Sequence, residues 1–73
     1  MRPQYQIARV SFTDCGEYWS ADYVVEGQHT PLMIHKSIRD RYPFDTDEFW
    51  QAIERSAIGA YESWRDHPEW RLN

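Results

Sequence analysis

The sequence predicts a small α+β fold, in which a three-stranded antiparallel sheet is covered on one face by one long C-terminal helix. Apolar and polar side chains alternate through the first half of the chain, as is typical of strands. From residue 49 to residue 64, apolar side chains instead recur at helical spacing. The 73 residues are enough for one small domain, 1–73, with a short aromatic tail at 67–73.

Two strands are predicted first, at about 5–13 and 17–26, joined by a turn around Gly16. Strict alternation in the first strand places one set of side chains toward the helix, namely Ala8, Val10 and Phe12. It leaves the opposite, uncovered face to Tyr5, Ile7, Arg9 and Ser11. In the second strand the face toward the helix carries Trp19, Ala21, Tyr23 and Val25.

A second turn is predicted at Gly27-Gln28, because a type II′ hairpin turn favours glycine at its first central position. This turn leads into a third strand at about 29–35. It places Tyr23 opposite Leu32, so that the apolar side chains of both strands share one face.

An alternative exists for the third strand. Thr30-Pro31 is also typical of a helix start, which would make 30–41 helical. We favour a strand, confined to the sheet edge by Pro31, followed by a helical turn at about 37–41.

The long helix is predicted at about 46–66. Asp45 can cap its N-terminus while Glu48 reaches back to the backbone N–H of the capping residue. Phe44, just before the cap, can pack on Phe49 as a hydrophobic staple.

The charge distribution is uneven. The formal net charge is −4, and residues 45–73 carry all of it, with seven acidic against three basic side chains. Acidic surfaces repel phosphate backbones, which disfavours a general nucleic-acid binder. Cys15 is the one cysteine, and no apolar stretch could span a membrane, so we expect a cytoplasmic protein without disulfides or a leader.

No catalytic or cofactor motif is present, and we expect neither an enzyme nor a metal or cofactor site. His29 and His35 share a strand face but lie about 20 Å apart along an extended chain, too far to share an ion. Cys15 has no identifiable base beside it, and nucleophilic catalysis requires one.

The polar face of the long helix is the first candidate partner-binding site. Ile58 lies at its centre, within an acidic surround of Glu54, Glu62 and Asp66. Acidic side chains on a surface helix can serve solubility alone. They can also dock on a basic surface of another protein, since complementary potentials select partners.

The uncovered sheet face is the alternative site. Its predicted side chains combine aromatic, charged and apolar groups: Tyr5, Arg9, Tyr18, Asp22 and Met33. Such a face can stack bases in an RNA- or DNA-binding module. It can also join two copies in a homodimer or attach an accessory subunit.

In size and charge, though in no motif, the chain is similar to small acidic anti-defence proteins of phages and mobile elements, the anti-CRISPR proteins among them. That similarity implies an inhibitor. The sequence thus favours a non-enzymatic protein-binding module that occludes a basic, nucleic-acid-binding surface of its partner.

Overall fold

The computed structural model of the protein describes residues 4–67 and residue 69. Three antiparallel strands form one sheet in the order β1-β2-β3, with β1 at Ile7–Cys15, β2 at Tyr18–Val25 and β3 at Gln28–His35. A 3₁₀ helix at Lys36–Asp40 follows, and then the long helix α1 at Asp47–Asp66. The predicted α+β fold is confirmed, and the third element is the strand rather than the helical alternative.

The helix α1 lies across one face of the sheet, where it packs mainly on β3 and β2. The core between the two layers contains apolar side chains of β2 and β3 and the buried stripe of α1. Its buried members are Trp19, Ala21, Tyr23, Val25, Ile34, Phe49, Ile53 and Ala57. No helix in the described part of the chain is both long and apolar enough to cross a membrane.

Strand β1 contains a bulge at Val10, and this bulge changes which side chains face the helix. The register runs Arg9↔Tyr23 and then Ser11↔Asp22, so Val10 has no partner on β2. An extra residue in one strand reverses the alternation on its two sides. Val10 is itself 63% exposed.

The prediction that Tyr5, Ile7 and Arg9 lie on the uncovered face is therefore wrong. Tyr5 and Ile7 pack against the core, and Arg9 stacks on Trp50 of α1. Ala8, predicted toward the helix, lies instead opposite Val24 on the uncovered face. Beyond the bulge the predicted faces of Ser11 and Phe12 agree with the register.

The second hairpin turn also differs from the prediction. Its central residues are Glu26 and Gly27, whose φ angles of 51° and 77° are both positive, as a type I′ turn requires. Tyr23 consequently pairs with Thr30 and not with Leu32. The register is shifted by two residues, which preserves side-chain parity, so the apolar faces still coincide.

The N-terminus of α1 is capped by Thr46, whose hydroxyl accepts from the Phe49 backbone N–H at 3.2 Å. The predicted cap, Asp45, lies one residue earlier with φ 65°, and its carboxylate accepts from the Trp50 indole N–H at 2.8 Å. Phe44 contacts Phe49 as predicted, with ring centres 5.2 Å apart.

The helix ends at Asp66, and the His67 backbone N–H still donates to the Ser63 carbonyl at 2.8 Å. Most of the predicted aromatic tail, residues 68 and 70–73, lies outside the described residues.

Candidate functional site

The outward face of α1 carries the four residues of the predicted acidic site. Glu54 and Asp66 are exposed, whereas Ile58 and Glu62 are half-buried. Ile58 and Glu54 line a shallow depression together with Gln51 and Arg55. The four predicted residues therefore lie on one helix but differ in how free they are to meet a partner.

Glu62 and Asp66 are already engaged within the protein. The Tyr5 hydroxyl donates to the Glu62 carboxylate at 2.7 Å, and Arg65 lies 3.4 Å from the same hydroxyl. Arg65 also lies 3.5 Å from the Asp66 carboxylate and 5.7 Å from the centre of the Tyr61 ring. Donation to Glu62 raises the pKa of Tyr5, because it stabilises the neutral phenol.

The unengaged carboxylates lie nearer the start of the helix. Asp47, Glu48 and Glu54 are exposed, and within the described part of the chain none of them has an ion pair. We call these three residues together with Ile58 the acidic surface. From sequence, helix capping and the helix macrodipole are a sufficient explanation for Asp47 and Glu48 at the start of α1. The spacing of Asp47, Glu54 and Ile58, at intervals of seven and four, could have placed them on one stripe.

An aromatic cluster adjoins the acidic surface at the N-terminal end of α1. Its rings meet at centre distances of 4.9 to 5.4 Å in most pairs. We define the cluster by its five members, which are Phe12, Trp19, Phe44, Phe49 and Trp50. Phe44 is the exposed member, with 52% of its surface accessible.

Cations lie over two rings of the aromatic cluster. The Arg9 guanidinium is 3.7 Å from the centre of the Trp50 ring. Lys36 and Arg39 approach the Trp19 ring at 5.5 and 5.7 Å. Aromatic faces attract cations through the ring quadrupole, so this end of the molecule is already suited to guanidinium groups.

Tyr23 lies on the covered face of β2, near the Arg9 guanidinium. The side chain is 1% exposed, and its hydroxyl makes no hydrogen bond with the described residues. Burial raises the pKa of Tyr23, and the nearby Arg9 guanidinium partly offsets that effect. Within the described residues this hydroxyl is thus a buried polar group without a hydrogen-bond partner, which costs stability.

The uncovered sheet face retains three of its predicted residues, Tyr18, Asp22 and Met33, without Tyr5 and Arg9. Tyr18 meets the His35 ring edge to face at 4.9 Å. The nucleic-acid alternative thereby loses the arginine and one of the two tyrosines that it required on this face.

Asp22 is the centre of a small polar group on the uncovered face. Its carboxylate accepts from the Ser11 hydroxyl at 2.9 Å, and His29 Nε2 lies 3.2 Å from its other oxygen. The carboxylate thus stands between the hydroxyl and the imidazole. In a nucleophilic triad the imidazole contacts the hydroxyl directly, so this order of groups is not that of a triad.

Among the described residues, no group of three or more His, Cys, Asp and Glu side chains is placed to hold a metal ion. Cys15 is an exposed free thiol. Comparison with protein-family models, with curated proteins and with solved structures finds no match to this chain.

Proposed function

We propose that the protein is a non-enzymatic, cytoplasmic protein-binding module whose acidic surface docks on a basic surface of a partner protein. In this proposal it acts as an inhibitor or modulator that occludes a nucleic-acid-binding surface, as an anti-defence protein of a phage or mobile element does. The observation that carries the proposal is the set of exposed carboxylates of Asp47, Glu48 and Glu54 on α1, none of which has an ion pair within the described residues, with Ile58 one turn beyond Glu54.

The electrostatics of the acidic surface support this function. Between residues 47 and 58 of α1, the three carboxylates outnumber the one guanidinium, that of Arg55, which lines the shallow depression together with Glu54. Carboxylates without internal partners lose no intramolecular ion pair when they meet a partner's cations. Complementary potentials of this kind accelerate encounter and suppress wrong partners.

Ile58 supplies the apolar part of the contact. It is half-buried on the outward face of α1, between the carboxylate of Glu54 and the engaged Glu62. Binding energy at interfaces is concentrated in a few apolar or aromatic anchors surrounded by polar groups. An aliphatic side chain within a ring of charges has this arrangement.

A charge-altering double variant tests the proposal. We expect Glu48→Gln with Glu54→Lys to weaken partner capture by at least about tenfold, because a cation then faces the partner's cations. The tagged protein is incubated with nuclease-treated bacterial lysate, and captured proteins are quantified by mass spectrometry. Raising the salt from about 0.1 M to about 1 M shortens the Debye length from about 10 Å to about 3 Å and should also release the partner.

The matched control carries the same change of net charge elsewhere. Glu17→Lys with Asp40→Asn alters two exposed residues outside α1 and should leave capture unchanged. Circular dichroism confirms that both double variants fold. Equal capture by the two variants would contradict the proposal, and capture that disappears with nuclease would favour the nucleic-acid alternative.

A further inference from the structure

Phe44 is the most exposed member of the aromatic cluster. Its ring contacts Trp19 at 5.3 Å and Phe49 at 5.2 Å between centres, which fix its position. The remaining 52% of its surface is open. An aromatic ring that is fixed by its neighbours, with half of its surface accessible, is a preformed platform for a planar group.

The neighbouring rings show which kind of group this platform suits. Arg9 covers Trp50 at 3.7 Å, and the Trp19 face is approached by Arg39 and Lys36. No cation of the described chain covers Phe44 in the same way. Phe44 is therefore an open position in a cluster whose two indole rings are already paired with cations.

Negative charge next to Phe44 adds to this preference. Asp45 follows it directly, and one oxygen of its carboxylate is held at 2.8 Å by the indole N–H of Trp50. The Trp50 ring is itself 6.4 Å from that of Phe44. Asp47 and Glu48 follow within one helical turn, so three carboxylates follow Phe44 closely in the chain, while the cations at this end, Arg9, Lys36 and Arg39, lie over the rings of Trp50 and Trp19.

We infer that Phe44 receives an arginine side chain of the partner protein. The guanidinium stacks on the open face of the ring, and its N–H groups pair with the carboxylates that follow Phe44 in the chain. Arginine suits this position better than lysine because its guanidinium is planar, weakly hydrated and able to donate several hydrogen bonds while stacked. The inference rests on the proposed function and names the chemistry of the basic partner.

Two peptides of equal charge separate this inference from general electrostatic attraction. Acetylated, amidated hexa-arginine and hexa-lysine are titrated into the protein by isothermal titration calorimetry in low-salt buffer. We expect hexa-arginine to bind more tightly than hexa-lysine by up to about two- to fivefold, because that is the full contribution of an exposed cation–π contact and the stacked guanidinium can also donate hydrogen bonds to the carboxylates. In Phe44→Leu this preference should disappear, with the affinity for hexa-arginine falling more than the affinity for hexa-lysine.

A control variant and a direct signal accompany the titration. Met33 is 60% exposed on the far face of the sheet, so Met33→Leu makes a comparable apolar exchange and should keep the preference. If Phe44→Leu does not fold, Phe44→Tyr retains the ring and should keep the preference too. In the wild-type protein, the arginine side-chain protons should shift upfield on binding because they lie over an aromatic ring.

The outcomes distinguish the two proposals. Equal affinity for the peptides, or a preference that survives in Phe44→Leu, overturns the inference at Phe44. In that case, if the Glu48→Gln, Glu54→Lys double variant binds hexa-lysine more weakly than the wild-type protein does, the proposed function stands although the inference at Phe44 fails. If neither peptide binds, both proposals fail.

Discussion

The Arg9 guanidinium stacks on the Trp50 ring at 3.7 Å, on the covered side of the sheet. Arg9 reaches that side because the bulge at Val10 reverses the alternation of β1. The same reversal directs Tyr5 and Ile7 toward α1. One extra residue in an edge strand therefore decides how the N-terminal half of β1 contributes to the core.

Deletion of Val10 should destabilise the protein by more than about 2 kcal/mol, because it turns Ile7 and Arg9 away from the helix. Val10→Thr should cost less than about 0.5 kcal/mol, since the residue is exposed and stays β-branched. Urea unfolding followed by circular dichroism measures both values. Similar free energies of unfolding for the two variants would show that the bulge does not control the strand's faces.

Replacement by phenylalanine should change the free energy of unfolding in opposite directions at Tyr23 and at Tyr5. Tyr23→Phe removes a buried hydroxyl without a described partner and should stabilise the protein by about 1 kcal/mol. Tyr5→Phe removes the donor to Glu62 and should destabilise it. Thermal and urea unfolding of the pair provide the measurement, and a loss of stability in Tyr23→Phe would mean that its hydroxyl is satisfied.

Two glycines should respond oppositely to alanine. Gly59 lies within α1 with open space where a Cβ would stand, so Gly59→Ala should stabilise the protein by about 0.5 to 1 kcal/mol. Gly27 has φ 77°, and Gly27→Ala should destabilise it by about 1 kcal/mol or more. Differential scanning calorimetry gives the two shifts in Tm. A lower Tm in Gly59→Ala would indicate a packing role that the open space does not show.

Because of Asp14, the free energy of unfolding should vary with pH in the acidic range. A hydrogen bond from Lys36 at 2.7 Å, and a second from the Gly16 backbone, lower the pKa of Asp14. The stabilisation is fully present above the ordinary aspartate pKa of about 3.9 and is lost as pH falls through the lower folded-state value. Carboxyl titration by NMR should show a higher Asp14 pKa in Lys36→Met.

Arg39→Met is the control for this titration. Arg39 lowers the pKa of Asp14 only through a weaker charge interaction, so its loss should raise that pKa less than the loss of Lys36 does. Equal shifts in the two variants would mean that long-range charge, and not the hydrogen bond from Lys36, holds the carboxylate ionised.

Much of the fold follows from local pattern. The alternation in β2 and the helical stripe ending near Trp64 were sufficient to predict the sheet and the helix that covers it. The bulge at Val10 was not predictable by the same means. Over so few residues, the sequence of a strand with a bulge cannot be distinguished from that of a strand with continuous alternation. The positive φ of Glu26 was not predictable either, because glutamate is not a residue type that favours the left-handed conformation.

The candidate site was predicted only in part, because pairing between distant residues is invisible to local pattern. Glu54 and Ile58 lie on the outward face of α1 as expected. Glu62 is instead held by Tyr5, a partner 57 residues away in the chain. A contact across such a separation depends on the bulge that turns Tyr5 toward the helix, so one unforeseen backbone feature altered two predicted sites.

The contact between Tyr5 and Glu62 has a practical consequence for attaching the protein to other molecules. Tyr5 lies close to the first described residue, and Glu62 lies one turn before the end of α1. Helical rise places Thr46, beside Phe44, about 24 Å from Glu62 along the axis. A surface linkage made at the exposed Asp66, at the same end of α1 as Glu62, therefore leaves the pole that carries Phe44 turned away from the point of attachment.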